Sequence, residues 1–84
     1  MYKVYILKSK KDNKRYVGYS NDIERRLKEH NKGEVRSTFK RRPFKLIYFE
    51  NYSNELEAKR RERFLKSGQG RKLLDTILSA KGGR

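Results

Sequence analysis

The sequence predicts a small α+β domain whose elements follow the order β-β-α-β-α-α. Segments rich in β-branched and aromatic residues precede and separate segments with helical periodicity. Two of the helical segments open with cap-type residues at capping-box spacing. A length of 84 residues allows one domain with one modest core. We expect a single domain over residues 1–80 and a frayed tail over residues 81–84.

The first two elements are expected to form a β-hairpin, in which YKVYILKS and RYVGYS are strands and KKDNK supplies the turn. A register that pairs Lys8 with Arg15 places Tyr5 opposite Gly18. Tyr5 and Tyr16 then lie on one face as diagonal neighbours, roughly 7–8 Å apart. The missing side chain of Gly18 should leave a hollow beside both rings. The alternative is that tyrosines simply favour strands and that the glycine marks a bulge.

The third and fourth elements are a helix and a strand. In SNDIERRLKEHN, Asn21 and Glu24 have capping-box spacing, and Asn31-Lys32-Gly33 is the expected stop. A basic connector, GEVRSTFKRRP, leads through Pro43 into FKLIYFENY. This strand is apolar at successive positions, which is typical of a strand covered on both sides.

The last two elements are helices. SNELEAKRRERFLKS repeats the capping-box spacing at Asn54 and Glu57. The sequence GQG is expected to separate this helix from a last helix, RKLLDTILSA. The residues of that final helix that can face the sheet are Leu73, Leu74, Ile77 and Leu78.

The charge of the chain points to a polyanionic partner. Lys and Arg number 24 against 10 Asp and Glu, a formal net charge of +14. Nucleic acid is the first candidate partner and an anionic membrane surface the second. No apolar run approaches a membrane span and no signal peptide is recognisable, so we expect a cytoplasmic protein without a membrane partner.

The residue types limit the possible metal sites. Without cysteine, disulfides and thiolate sites are excluded, and one histidine cannot build a His-rich zinc site. Any metal should therefore be a hard cation held by carboxylate and water, such as magnesium.

Two charged groups stand out on the predicted helices. Arg26 and His30 are four residues apart and share a face, where they can hold a phosphodiester and orient a water. The alternative is a solvated basic face with a structural histidine. Glu62 falls on one face with Ala58 and Leu65, so its carboxylate must pair with an arginine, Arg26 being a possible partner, or bind a cation.

Taken together, these features resemble the GIY-YIG nuclease superfamily. The resemblance rests on the Tyr5 strand, YVG at 16–18, the helix carrying Arg26 and His30, and the later helix carrying Glu62. It is closest to the small single-domain GIY-YIG proteins of bacteria, through VYIL in the first strand and EAKRRERFLK in the later helix. It extends from the first strand to about Ile77.

The resemblance implies a three-stranded antiparallel sheet flanked by helices, with a metal-dependent phosphodiesterase site on one face. Tyr5 matches the tyrosine of the GIY element and Tyr16 that of YIG. Arg26 matches the phosphate-binding arginine, Glu62 the glutamate that binds Mg²⁺ or Mn²⁺, and His30 a histidine or polar residue often found on that helix.

The chain departs from the family pattern at two places. Its first motif is Lys3-Val4-Tyr5, so the glycine and the isoleucine are replaced. Many members have an asparagine beyond the glutamate helix, where LKSGQGR offers only Ser67 or Gln69.

The implied mechanism uses a tyrosine as general base. A tyrosine hydroxyl has an ordinary pKa of about 10, and neighbouring cations favour its phenolate form. The resemblance assigns proton removal from the attacking water to Tyr16, with Tyr5 orienting the water or Tyr16. Arg26 would clamp a non-bridging oxygen, and a cation on Glu62 would stabilise charge on the phosphate.

The expected substrate is DNA, held through its backbone without sequence selection and chosen by shape, such as nicks, branches or flaps. RNA is not excluded, and a partner protein can supply targeting. The residues expected to contact the backbone are Arg25, Arg36, Lys40, Arg41, Arg42, Lys66, Arg71 and Lys72. The alternatives are a non-catalytic nucleic-acid-binding module on this scaffold and a basic protein that docks to ribosomal RNA or an acidic partner.

Overall fold

The computed structural model describes residues 1–82, and the side chains of residues 1–80. It confirms the α+β class and the order of elements. The elements are β1 (Tyr2–Ser9), β2 (Arg15–Ser20), α1 (Ile23–Lys32), a short 3₁₀ turn (Phe39–Arg41), β3 (Phe44–Tyr52), α2 (Glu55–Lys66) and α3 (Gly68–Gly82). Of the predicted tail, residues 83 and 84 lie outside the described residues. No helix within residues 1–82 is long and apolar enough to cross a membrane.

The sheet is antiparallel with strand order β2-β1-β3, and its hairpin register is the predicted one. Tyr5 pairs with Gly18, and Lys8 pairs with Arg15. The central strand β1 is covered on both sides, since residues 4–7 are at most 2% exposed. These four successive buried residues form the centre of the domain.

The expectation that β3 is the strand covered on both sides is wrong. It lies at the edge of the sheet, and Phe49 is 46% exposed. The Lys3 ammonium group lies 5.3 Å from the centre of the Phe49 ring. A cation above an exposed ring is a favourable contact, so the apolar side chain is tolerated at the edge without a covering helix.

The two faces of the sheet carry separate cores. On one face, side chains of β1 and β2 pack against α2 and α3, and the buried members are Val4, Ile6, Val17, Ala58, Leu65 and Leu74. On the other face, Tyr5, Leu7 and Phe44 are buried against residues that include Ile23 and Leu27 of α1. Because strand residues alternate between faces, the Tyr5 and Tyr16 side chains lie on the α1 face.

The N-cap of α1 is Asp22, and the prediction of Asn21 was wrong. The Asp22 carboxylate accepts a hydrogen bond from the backbone amide of Arg25 at 3.0 Å. A carboxylate also interacts favourably with the positive end of the helix dipole, which favours Asp22 over its amide neighbour. The helix ends at Gly33, as predicted.

The prediction of Asn54 as the N-cap of α2 is confirmed, because its side chain accepts from the Glu57 amide at 2.9 Å. The prediction of a break at GQG is wrong, because those residues form the first turn of α3 and Ser67 alone separates the helices. Glycine is required at position 70. A Cβ there would clash with the Phe64 carbonyl and lie 2.5 Å from Leu65 Cα, so the close approach of the two helices depends on Gly70.

Candidate active site

The Tyr5 ring is the centre of the candidate site. It is 2% exposed and lies directly over Gly18, where an added Cβ would be 2.5 Å from the Tyr5 hydroxyl. The hollow predicted beside Gly18 is therefore filled by Tyr5 itself. The ring centres of Tyr5 and Tyr16 are 6.5 Å apart, which confirms the predicted pairing of the two side chains.

His30 lies behind Tyr5, fully buried. Its Nε2 is 3.1 Å from the Tyr5 hydroxyl, and its Nδ1 is 2.8 Å from the hydroxyl of Thr38, which is also buried. The Thr38 hydroxyl donates to the Val35 carbonyl at 3.4 Å. Thr38 must then accept from Nδ1–H, which leaves Nε2 as the acceptor for the Tyr5 proton.

Burial sets the protonation states of His30 and Tyr5. Burial, with the charge of Arg26 as a second cause, lowers the pKa of His30 from 6.5 to about 4. Burial also raises the pKa of Tyr5 to about 12. At neutral pH the imidazole is uncharged and Tyr5 keeps its proton. His30 is thus a hydrogen-bond partner of Tyr5. Because its ring is fully buried, it does not reach solvent, where the sequence had suggested that it could orient a water.

The buried imidazole gives a stability prediction. The unfolded chain binds a proton at His30 more tightly than the folded chain, so the free energy of unfolding should fall as the pH falls from 6.5 towards 4. We expect a loss of about 2 kcal/mol between about pH 7.5 and about pH 5, measured by urea unfolding. The slope should disappear in His30→Gln. An equal slope in both proteins would assign it to other groups.

Arg26 borders the Tyr5 hydroxyl. After burial, the Arg26 guanidinium is the largest influence on the Tyr5 pKa, and it acts to lower it. The guanidinium also pairs with Glu29 at 2.9 Å, and the Arg26 side chain is 36% exposed. Glu29 is shared with Arg25, at 2.7 Å. Arg26 therefore presents an oriented and partly exposed cation beside Tyr5, as a phosphate clamp requires.

Glu62 is partly buried, with 18% of its side chain exposed, between the buried residues Ala58 and Leu65. This confirms the predicted face of α2. Its ionic partner is Lys66, at 2.7 Å, and the suggested pair with Arg26 does not form. Burial is the main cause of the raised Tyr5 pKa, and the charge of the Glu62 carboxylate is the smallest contribution.

The donor set at Glu62 fits a hard divalent cation. Mg²⁺ is commonly bound through one or two carboxylates, with water and substrate oxygens completing its shell. Within residues 1–80, no group of three or more His, Asp or Glu side chains forms a ready-made cage. Lys66 is 48% exposed, so its ammonium can leave the carboxylate for solvent or a phosphate at little cost.

The residues expected to contact the sugar-phosphate backbone of a nucleic acid divide into two groups. The first is held by other residues: Arg25 by Glu29, Arg41 by Asp12, Lys66 by Glu62, and Arg42 by the Phe39 carbonyl. In the second group, no member forms an ion pair with the described residues 1–80. Its members are Arg36, Lys40, Arg71 and Lys72.

Gly18→Ala tests the contact between Gly18 and Tyr5. The new methyl would lie 2.6 Å from Tyr5 Cζ and 3.1 Å from Tyr16 Cε2. The Tyr5 side chain is hydrogen-bonded to buried His30 and cannot move aside without losing that bond. We therefore expect a loss of about 1–3 kcal/mol in unfolding free energy. The matched control is Gly68→Ala, where nothing lies within 4 Å of the added atom. Equal thermal stability of the two variants would contradict the packing described.

Comparisons with known proteins agree with this arrangement. The profile of the GIY-YIG catalytic domain matches residues 1–74. UPF0213 protein CPE1444 of Clostridium perfringens is 47% identical over 64 residues, and UPF0213 protein YazA of Bacillus subtilis is 43% identical over 63 residues. The alignments cover 75% and 74% of this chain and 68% and 63% of those proteins, so the chain spans about two thirds of their length. The two names state no activity.

A solved structure of similar fold supports the architecture. The solution NMR structure of UPF0213 protein BH0048 from Bacillus halodurans aligns with a TM-score of 0.55 and 34% sequence identity. The alignment covers 92% of this chain and 85% of that one. The match supports the three-stranded α+β architecture that positions the tyrosines.

Proposed function

Because the chain belongs to the GIY-YIG family, we propose that it is a metal-dependent endonuclease that hydrolyses phosphodiester bonds in DNA. The observation that carries the proposal is the packing of Tyr16 against Tyr5, with His30 behind the two rings. The charges of Arg26 and, more weakly, of Glu62 act on the Tyr5 hydroxyl. A general base, a phosphate clamp and a cation ligand are the groups that phosphodiester hydrolysis needs.

Tyr16 is the group best placed to remove a proton from the attacking water. It is partly exposed, and its hydroxyl makes no hydrogen bond within the described residues 1–80. Its ring packs edge-on against His30, with centres 5.0 Å apart, which fixes its direction. Tyr5 is excluded as the base, since its pKa is about 12 and its proton is engaged by His30.

Tyr5 has a positioning role. With its proton donated to His30, its oxygen has only acceptor capacity left. A water that donates a hydrogen to Tyr5 is held beside Tyr16 in one orientation. The buried hydrogen bonds from Tyr5 to His30 and from His30 to Thr38 therefore hold the Tyr5 oxygen, which orients the water, in place.

Arg26 and Glu62 supply the charges. Arg26 binds a non-bridging oxygen of the phosphate while Glu29 keeps its guanidinium in position. Glu62 is the residue that would hold Mg²⁺ or Mn²⁺. When bound, such a cation supplies electrostatic stabilisation of the charge that develops on the phosphate and the leaving oxygen.

A non-catalytic nucleic-acid-binding module is the second candidate. Two observations favour it: Glu62 is already paired with Lys66, and LKSGQGR lacks the expected asparagine. Such a module would need the surface cations but not the two tyrosines.

The test is a panel of labelled DNAs of one sequence: duplex, single strand, nicked, flap and branched, with RNA counterparts. Each is incubated with Mg²⁺, with Mn²⁺ and with a chelator. The proposal expects cutting that requires the metal and favours DNA with a discontinuity or branch. Salt-sensitive binding with no cutting of any substrate would favour the binding module.

A further inference from the structure

A row of three cations crosses the sheet at the hairpin end. Arg15 of β2 pairs with Lys8 of β1, which in turn pairs with Lys45 of β3. Like charges placed directly opposite one another destabilise a sheet. Arg15 is paired with Asp75 at 2.8 Å, whereas Lys8 and Lys45 form no ion pair with any residue in 1–80. An uncompensated row of this kind indicates an anionic ligand.

The row borders a groove of about 1210 Å³ between the sheet and the α2–α3 junction. Its cationic lining is Lys8, Lys14, Arg15, Lys45, Lys66 and Arg71. In its apolar lining Val17, Leu65 and Leu74 are buried, whereas Ile47 and Leu78 are half-buried. The six cations face a single carboxylate, that of Asp75, which Arg15 already pairs, and this excess of positive charge favours a polyanion as the ligand.

The groove and the two tyrosines of the candidate active site lie on opposite faces of the sheet. Val17, Leu65 and Leu74 belong to the core on the α2–α3 face, whereas Tyr5 and Tyr16 belong to the core on the α1 face. Lys66 connects the two places, because it lines the groove and pairs with Glu62. The molecule measures only 31 × 28 × 23 Å, so one nucleic acid can reach both faces of the sheet if it is branched or bent.

We propose that the groove binds the phosphate backbone of a second arm of a branched or flapped DNA, while the first arm lies against Tyr16 and Arg26. The assignment of the first arm rests on the proposed nuclease function. A straight duplex contacts one face only and gains nothing from the groove. The groove is thus a substrate-selecting site on the side of the sheet away from Tyr5 and Tyr16, and selection is by shape.

The test compares affinities for a flap DNA and a linear duplex of the same sequence, by fluorescence anisotropy in a chelator, so that no cutting is needed. The groove variant is Lys8→Gln, Lys14→Gln and Lys45→Gln. The control is Lys59→Gln, Arg60→Gln and Arg63→Gln, three exposed cations of α2 outside the groove. Each set lowers the formal net charge from +14 to +11, and thermal unfolding checks that both variants fold.

We expect the groove variant to bind the flap DNA about tenfold more weakly and the duplex within about threefold of the parent, and the salt slope for the flap to fall by about 2. The control should weaken both DNAs by similar small factors. Equal losses for both DNAs, or identical behaviour of the two variants, would overturn the proposal. A groove variant that loses affinity for poly-glutamate but for neither DNA would overturn it in favour of an acidic protein ligand. Because only binding is measured, these outcomes are separate from a failure of cleavage.

Discussion

Tyr16→Phe is expected to lower the single-turnover rate of DNA cleavage by about 10²–10⁴-fold. The substitution removes one oxygen and keeps the ring that packs 5.0 Å from His30 and 6.5 Å from Tyr5. The fold should therefore be unchanged. No cation is lost, so DNA affinity, measured on the same samples, should stay within about twofold of the parent.

The matched control is Tyr19→Phe. Its hydroxyl donates to Glu55 at 3.2 Å, and its ring packs in the core on the α2–α3 face. Cleavage by this variant should resemble that of the parent. If the two variants cut equally well, Tyr16 is not the general base. If both lose binding, the tyrosines act in packing.

Glu62→Gln is expected to abolish most metal-dependent cleavage, by about 100-fold or more. The amide keeps the shape of the side chain between Ala58 and Leu65, but it removes the charge that would hold the cation. The change also releases Lys66 and raises the net charge by one, so DNA binding should be equal or tighter. Opposite effects on cutting and binding are difficult to obtain from misfolding.

Glu55→Gln controls for the loss of one carboxylate from the same helix. Its contact is with the Tyr19 hydroxyl, in the first turn of α2. It should leave the rate and its dependence on Mg²⁺ or Mn²⁺ concentration as in the parent. A Glu62→Gln protein that reaches the parent rate at the same metal concentration would exclude Glu62 as the cation ligand.

The pairing of the tyrosines was predictable from sequence because it depends on parity. Once the turn fixes one pair of the hairpin, Tyr5, Tyr16 and Gly18 must share a face. The position of Glu62 was predictable for a similar reason, since i, i+4, i+7 spacing sets the inner face of α2. Both the shared face of the tyrosines and the position of Glu62 on α2 follow from local periodicity.

The role of His30 was not predictable from periodicity. Helical spacing placed it on the face of Arg26, but it could not show that Tyr5 and Thr38 close over the ring and bury it. Thr38 gave no sequence signal, because it lies in an irregular connector whose path is set by tertiary contacts. One such contact is the pair of hydrogen bonds between Asn31 and Phe44, in which the Asn31 side chain donates to the Phe44 carbonyl and accepts from the Phe44 amide.

The place of β3 in the sheet was also beyond local reasoning. Apolar residues on both faces of a strand are compatible with a central position, and β1 shows the same pattern. Which of the two is central depends on pairing between distant segments. The cationic row of Arg15, Lys8 and Lys45 becomes visible only with that strand order.

Phosphodiester hydrolysis at Tyr16 and Glu62 is tested most directly by a single-turnover time course on flap DNA at saturating protein, with and without Mg²⁺. The parent and the double variant Tyr16→Phe, Glu62→Gln are compared after identical purification. We predict metal-dependent cutting by the parent and none by the double variant, with equal amounts of DNA bound. Cutting at the same rate by both proteins, or bound DNA left intact by both, would contradict hydrolysis at these residues.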